Sequence, residues 1–416
     1  MPLIFRLPDD IFYNILLDLY GENTKVPVEL SLVCKRWRGS ILNVPALWAD
    51  ITFNHPPPYD TQALQLHRSK ASPLIITIRA YRTYGMGIPA TVAIIKLLRP
   101  HVHRFRSLEI KSLKGKGLRT FFDELGKLEA PLLGRILVSE LVDAKRWTQK
   151  PFGDHAPRLQ VLHLACGGRK NWHPPLLCNL TSLTLGLDTT SPQPTITVFE
   201  ILITLSKTPK LEQLVIKNTA QIGLPWMSAQ VPLNELSRID LIDAFVTHPR
   251  TIDWRHLVIR QIIAPKVRRL TSPNVIPSPT LLDFTQCQYF PLAGLHELFI
   301  CPTNWDYPPQ EWNITKHQIL LVLQVFQQLR RLTLPSDMLD EAVFRCLSTQ
   351  FSALEKLVVH NPAPPFDALR RMVCARIEDF TLAPLLSMRL DVIPGTKNEM
   401  LEKEDVKWLM KHVPNF

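Results

Sequence analysis

One spacing recurs through most of this chain: an apolar residue, a second three positions on, and a third two further. It occurs as Phe105-x-x-Leu108-x-Ile110, Leu133-x-x-Ile136-x-Val138, Leu159-x-x-Leu162-x-Leu164, Leu180-x-x-Leu183-x-Leu185 and Leu211-x-x-Leu214-x-Ile216. It continues as Leu236-x-x-Ile239-x-Leu241, Leu295-x-x-Leu298-x-Ile300, Leu329-x-x-Leu332-x-Leu334 and Leu354-x-x-Leu357-x-Val359, with a shorter copy, Val267-x-x-Leu270, between. Alternation inside each kernel predicts a short strand with one apolar face. Helical patterns precede several kernels, at Thr91–Leu98, Leu118–Leu128, Thr195–Leu205, His317–Leu329 and Asp340–Leu347, and prolines mark joints at Ala156-Pro157, Thr208-Pro209 and Ala264-Pro265. A helix–turn–strand unit of this size leaves its apolar face open, so neighbouring units must stack.

Composition agrees with a packed chain. Of 416 residues, 46% are hydrophobic and 20% charged, which excludes a disordered polymer. No uncharged apolar run approaches the roughly 20 residues of a membrane span, and Asp9 and Asp10 stand where a secretory leader needs basic then apolar residues. A soluble chain of the cytoplasm, nucleus or both is expected, with no membrane partner. Seven scattered cysteines without a Cys-x-x-Cys pair read as reduced thiols. The net charge of +11 permits acidic partners without choosing among them. Proline outnumbers glycine, 36 to 15, which favours rigid joints over flexible linkers.

The first fifty residues differ. Leu7-Pro8 precedes a stripe of Ile11, Ile15 and Leu19, flanked by Phe12 and Leu16. Proline suits a helix start, and Asp9 and Asp10 suit the positive end of its dipole. A second helical run follows Pro27, with Leu30, Val33, Trp37 and Ile41 on one stripe, and Pro45-Ala46-Leu47-Trp48 ends it. So small a unit buries little surface of its own, so part of its apolar content is expected to meet a partner.

Leu7-Pro8-Asp9-Asp10-Ile11, Ile15-Leu16, Leu32-Val33-Cys34-Lys35-Arg36-Trp37 and Leu47-Trp48, in that order and spacing, resemble the F-box motif. The family usually has Glu where this chain has Asp10, which keeps the charge. The remainder is similar to F-box proteins with leucine-rich repeats, many of them in fungal paralogous sets. The kernels average about 28 residues apart, inside the range of such repeats, although the usual Asn or Cys turn ladder is replaced by Leu113, Gly167, Asp188, Thr219 and Pro362. The resemblance implies an α/β chain: a small helical F-box over 1–54, a curved leucine-rich-repeat-like solenoid with inner parallel sheet and outer helices over 55–395, and a capping helix or tail over 396–416. It further implies a substrate receptor. The F-box would dock on the S-phase-kinase-associated adaptor of a cullin–RING (SCF-type) ubiquitin ligase, through Leu7, Pro8, Ile11, Ile15, Leu16, Val33, Cys34 and Trp37. Ile15, Val33 and Trp37 suit a small helical core as well, and Trp37 and Trp48 divide evenly between core and interface.

Polar kernel positions such as Gln160, His163, Glu212, Gln213, Arg238, Asp240, Glu355 and Lys356 are the expected face for an unidentified target protein. No Gly-x-Ser-x-Gly, Gly-Lys-Ser/Thr or His-Glu-x-x-His site occurs. Lys114-Gly115-Lys116-Gly117 lacks the hydroxyl of a phosphate loop. His101 with His103, and Cys166 with His173, are too few for a metal site. Neither enzymatic activity nor a cofactor or metal is expected. Arg99, Arg104, Arg106, Lys111, Lys114, Lys116 and Arg119 oppose only Glu109 in their window. They are a candidate patch for an acidic or phosphorylated target, or a solvated helix end. A non-degradative F-box role, or a basic repeat scaffold for nucleic acid or chromatin, is the alternative. Nucleic acid is not the expected partner, because aromatic residues are not interleaved with the basic ones.

Overall fold

The computed structural model describes residues 8, 11–15, 29–79, 87–111, 113, 115–139, 152, 156–164, 177–186, 198–217, 230–242, 258, 261–272, 294–300, 320, 323, 326, 328–335, 339–360, 366–379, 381–391 and 403–416. The chain divides into two compact units, Met1–Leu180 and Thr181–Phe416. It is an α/β protein whose main strands pair in parallel, each with the next along the sequence.

In the first unit the strands are β1 (Asp50–Phe53), β2 (Leu74–Ile78), β3 (Phe105–Ile110), β4 (Arg135–Val138) and β5 (Val161–Leu164). Helix α1 (Lys35–Leu42) and a 3₁₀ turn, Pro45–Trp48, precede β1. Between strands lie α2 (Asp60–Arg68), α3 (Ile88–Leu98) with a 3₁₀ turn Arg99–Arg104, and α4 (Gly115–Leu125). Register aligns one kernel position throughout: Ile51, Ile76, Leu108, Ile136 and Leu162 stand side by side, and two residues on so do Phe53, Ile78, Ile110, Val138 and Leu164. All ten are buried.

The second unit holds β6 (Ser182–Gly186), β7 (Gln213–Lys217), β9 (Arg238–Ile242), β11 (Arg269–Ser272), β12 (Glu297–Ile300), β13 (Arg331–Pro335), β14 (Lys356–His360) and β15 (Ser387–Asp391). The short strands β8 (Val231–Pro232) and β10 (Ile262–Ile263) pair separately. Helix α5 (Val198–Leu205) links β6 to β7, and α6 (Glu341–Thr349) and α7 (Phe366–Glu378) flank β14. The aligned row is Leu183, Leu214, Ile239, Leu270, Leu298, Leu332, Leu357 and Met388. All ten kernels legible in the sequence thus become strands. Of the helices predicted before kernels, four are present with ends moved by at most three residues, and His317–Leu329 lies mostly outside the described residues.

The joints explain the prolines. The first kernel residue donates its N–H to the carbonyl three residues earlier, as in Leu133 to Ala130 (3.0 Å), Leu159 to Ala156 (3.1 Å), Leu211 to Thr208 (3.2 Å) and Val267 to Ala264 (3.4 Å). Each acceptor is buried and followed by proline, whose fixed φ suits the second position of such a turn. The next residue then forms a rail between neighbouring repeats. In the second unit the carbonyls of Thr181, Glu212, Ser237, Arg268, His296, Arg330 and Glu355 each accept two N–H groups from the following repeat, at 2.8–3.1 Å. Every rail carbonyl therefore uses both lone pairs.

Ends and gaps are closed by side chains. At β15, Asn415 pairs with Ser387, and its N–H and side-chain amide both reach Leu386 O (3.2 and 3.0 Å), covering what would be a bare sheet edge. Gly186 closes β6 with φ +103°, and a Cβ there would collide with the Lys217 carbonyl, so only glycine fits. Arg376 on α7 is 2% exposed. It donates to Leu347 O (3.0 Å), Phe351 O (2.9 Å), Leu354 O (2.8 Å) and Ala383 O (2.6 Å). Burial lowers its pKa to about 10, so it stays charged at neutral pH and ties together backbone carbonyls from the end of α6, the turn into β14 and the approach to β15. Arg376→Met is expected to destabilise the chain by on the order of 3–5 kcal/mol in urea unfolding, with Arg376→Lys recovering only part, since an ammonium has three donors. A loss below about 1 kcal/mol would show that water already serves these carbonyls.

Candidate functional site

The N-terminal module is built around Phe12, Ile41, Leu47 and Trp48, all buried, with Tyr13, Leu30, Trp37, Leu42 and Val44 against them. Phe12 and Trp37 meet edge to face at 5.0 Å, and Trp48 Nε1 donates to Ile41 O at 3.0 Å. Residues 11–15 are helical, and Phe12 N donates to Pro8 O at 3.0 Å. Cys34 caps α1, its Sγ accepting from Trp37 N at 3.5 Å. The Arg68 guanidinium lies 4.5 Å over the Trp48 ring, which ties the module to α2.

This core closes without four apolar side chains of the same stretch of sequence. Ile11 is 44% exposed, Ile15 37%, Leu32 72% and Val33 58%. Among the described residues eleven large hydrophobics are exposed, and these four fall within the first 33 residues. Singly exposed apolar residues are ordinary, but four among so few described positions exceed what this small core takes in. Pro8 is exposed as well.

The eight residues expected to face a partner therefore separate. Pro8, Ile11, Ile15 and Val33 are exposed, and Ile15 and Val33 do not serve the core. Cys34 and Trp37 are half-buried and have structural tasks, the cap and the Phe12 contact. Trp48 belongs to the core. Leu7 and Leu16 lie outside the described residues. Leu32, absent from the expected set, is the most exposed of the group; Leu32-Val33 together were the signal, since a turn entering a helix cannot bury two adjacent apolar side chains on one side.

The basic stretch 99–119 does not form one patch. Arg104 is 5% exposed, a correction to its place among surface cations. Its Nε and Nη2 donate to Ser72 O (3.0 and 2.9 Å), Nη2 also to Ser69 Oγ (2.7 Å), and Nη1 lies 3.3 Å from His101 Nδ1. Burial lowers the Arg104 pKa and, together with the Arg104 and His103 charges, that of His101. Lys111 pairs with Glu109 (2.6 Å), Arg99 with Glu124 (3.8 Å) and Arg119 with Asp123 (3.5 Å). Glu109 lies on β3 within the stretch, whereas Asp123 and Glu124 lie just past its end, one or two helical turns further along α4. Arg106 and Lys116 are exposed, and Lys114 lies outside the described residues.

His101 and His103 sit on a 3₁₀ turn rather than a strand face. Among the described residues no group of three His, Cys, Asp or Glu side chains is placed to hold a metal, and Cys166 and His173 lie outside them.

The strand face opposite the core carries the polar kernel positions. In the second unit, register sets Gln213, Arg238, Arg269, Glu297, Arg331 and Lys356 side by side. Arg238 pairs with Asp240 (2.6 Å), and Arg269 and Arg331 share Glu297 (3.6 and 3.1 Å). Glu212 and Glu355 instead belong to the carbonyl rail beside this row. In the first unit the corresponding positions of β3, β4 and β5 are Ser107, Arg135 and Val161, a far less charged set, with Gln160 on the rail and His163 two residues past Val161.

Compared with known proteins, the chain matches no family model, and no curated protein is significantly similar to it.

Replacing both Leu32 and Val33 with Ser is expected to change stability by less than about 0.5 kcal/mol, as surface substitutions do. Trp48→Ala should cost roughly 3–5 kcal/mol. Thermal melts of the two full-length variants check this, and a large loss from the serine pair would place those residues in the core.

Proposed function

We propose that this chain is the target-binding subunit of an SCF-type cullin–RING ubiquitin ligase. The N-terminal module acts as an F-box that docks on the S-phase-kinase-associated adaptor, and the stacked repeats bind a target protein. The observation that carries the reading is the set of exposed apolar side chains, Ile11, Ile15, Leu32 and Val33, beside a small core that is complete without them. A partner that covers this set removes apolar surface from water, at about 25 cal/mol per Å². Its sequence, from Leu7-Pro8 to Trp48, is the part that resembles the F-box.

On this reading the repeats form a curved leucine-rich-repeat-like solenoid with strands inside. Parallel strands stack about 4.8 Å apart, whereas helices need roughly 8–10 Å. Units with helices on one side therefore bend towards the strand side and turn its polar positions into the recognition face. The chain contributes no catalytic group. Holding a target near a ubiquitin-loaded conjugating enzyme raises local concentration and fixes orientation, which accelerates transfer by proximity. Activity in the cytoplasm, the nucleus or both follows from that role. No described helix is long and apolar enough to cross a membrane.

Co-expression with the adaptor tests the reading. The wild-type chain should co-purify in a stoichiometric complex. A variant with Ile11, Leu32 and Val33 changed to Ser should lose it while keeping its melting temperature. Wild-type protein that purifies alone, monodisperse in the adaptor's presence, would overturn the proposal.

A further inference from the structure

The charged row on the strand face of the second unit is more than a polar surface. From β9 to β14 it presents Arg238, Arg269, Arg331 and Lys356 against two carboxylates, Asp240 and Glu297. Four cations against two anions leave an excess of two positive charges on one strip. The cations are arranged for use. Arg269 lies 4.4 Å over the Phe299 ring, which fixes the plane of its guanidinium. Among the described residues, Arg269 Nε and Thr271 Oγ1 are buried donors with no hydrogen-bond partner, and Asp240 Oδ1 is a buried acceptor with none. Buried polar atoms of this kind are rare and costly in the absence of a ligand or water. Asp240 itself is 3% exposed.

We propose that this strip binds an extended, Asp/Glu-rich segment of a partner protein, lying across strands β9, β11, β12, β13 and β14. The length is set by geometry. Five neighbouring strands span four intervals of about 4.8 Å, roughly 19 Å, and an extended peptide advances about 3.3 Å per residue, so about six residues cover the strip. Carboxylates along the segment pair with Arg238, Arg331 and Lys356, whose fork-shaped or ammonium donors match them. Arg269 Nε, Thr271 Oγ1 and Asp240 Oδ1, buried beneath them, are the unmet polar atoms that a bound segment or its waters would satisfy. Val358, in the adjacent outward row, gives the segment an apolar contact. The inference rests on the repeats serving as the target-binding face, and supplies the chemistry of the target.

The test uses the full chain and three fluorescent probes: hexaglutamate, hexaglutamine and a single-stranded hexathymidylate, titrated by anisotropy at low salt. Hexaglutamate should bind, weaken as salt rises, and lose roughly tenfold or more in affinity when Arg331 and Lys356 are both changed to Glu. Arg345→Glu, on the outer surface of α6 and 75% exposed, should change affinity less than about twofold. Adaptor co-purification should be untouched by either variant, so failure here is distinct from failure of the ligase role. Equal binding of hexaglutamine, equal loss in both variants, or hexathymidylate binding more tightly with the same dependence on Arg331 and Lys356 would each overturn the proposal.

Discussion

The rail of doubly used carbonyls is the interaction on which the second unit depends. Each of Thr181, Glu212, Ser237, Arg268, His296, Arg330 and Glu355 accepts two N–H groups from the next repeat. Both donors come from adjacent residues at the mouth of a strand, so the rail fixes where each strand begins relative to its neighbour. Once that start is fixed, the three-then-two spacing of the kernel delivers Leu183, Leu214, Ile239, Leu270, Leu298, Leu332, Leu357 and Met388 to one buried row. A slip of one residue would send that row to the outer face. The same registration gathers Arg238, Arg269, Arg331 and Lys356, far apart in sequence, into a line.

Irregular repeat length is tolerated because the rail asks nothing of the segments that return the chain. Where returns leave carbonyls buried, single arginines take them up: Arg104 in the first unit and Arg376 in the second. Five fixed donors on one planar group replace several separate caps. These residues look like surface charge in the sequence, and their work lies inside.

Strands were legible wherever Leu, Ile, Val or Phe filled the kernel. Trp48-x-x-Ile51-x-Phe53 and Leu385-x-x-Met388-x-Leu390 have the same spacing and form β1 and β15, but Trp and Met stand where the other kernels carry a branched aliphatic residue or Phe. Strand β2, with Leu74, Ile76 and Ile78 alternating, lacks the first kernel residue and is linked to β3 through a shift in register. The buried turn residue three positions before a kernel was visible only as a proline joint at Ala156, Thr208 and Ala264. Burial of Arg104 was not legible, because its acceptors, Ser69 and Ser72, lie 35 and 32 residues away. In the N-terminal module the sequence showed an excess of apolar residues, but dividing them needed packing: Trp48 closes the core, and Leu32 and Val33 stay outside it.

Fold and proposed role meet in the rail, because a recognition strip made of side chains from five strands exists only if those strands keep register. Residue-resolved hydrogen exchange measures this directly at the amides of Gln213, Arg238, Arg269, Glu297, Arg331, Lys356 and Ser387, each bonded to a rail carbonyl. Slow exchange of comparable rate at all seven, as slow as in helices α6 and α7, is the predicted result. Rapid exchange at these amides beside protected helices would mean that the strands do not hold register, and the strip would not exist.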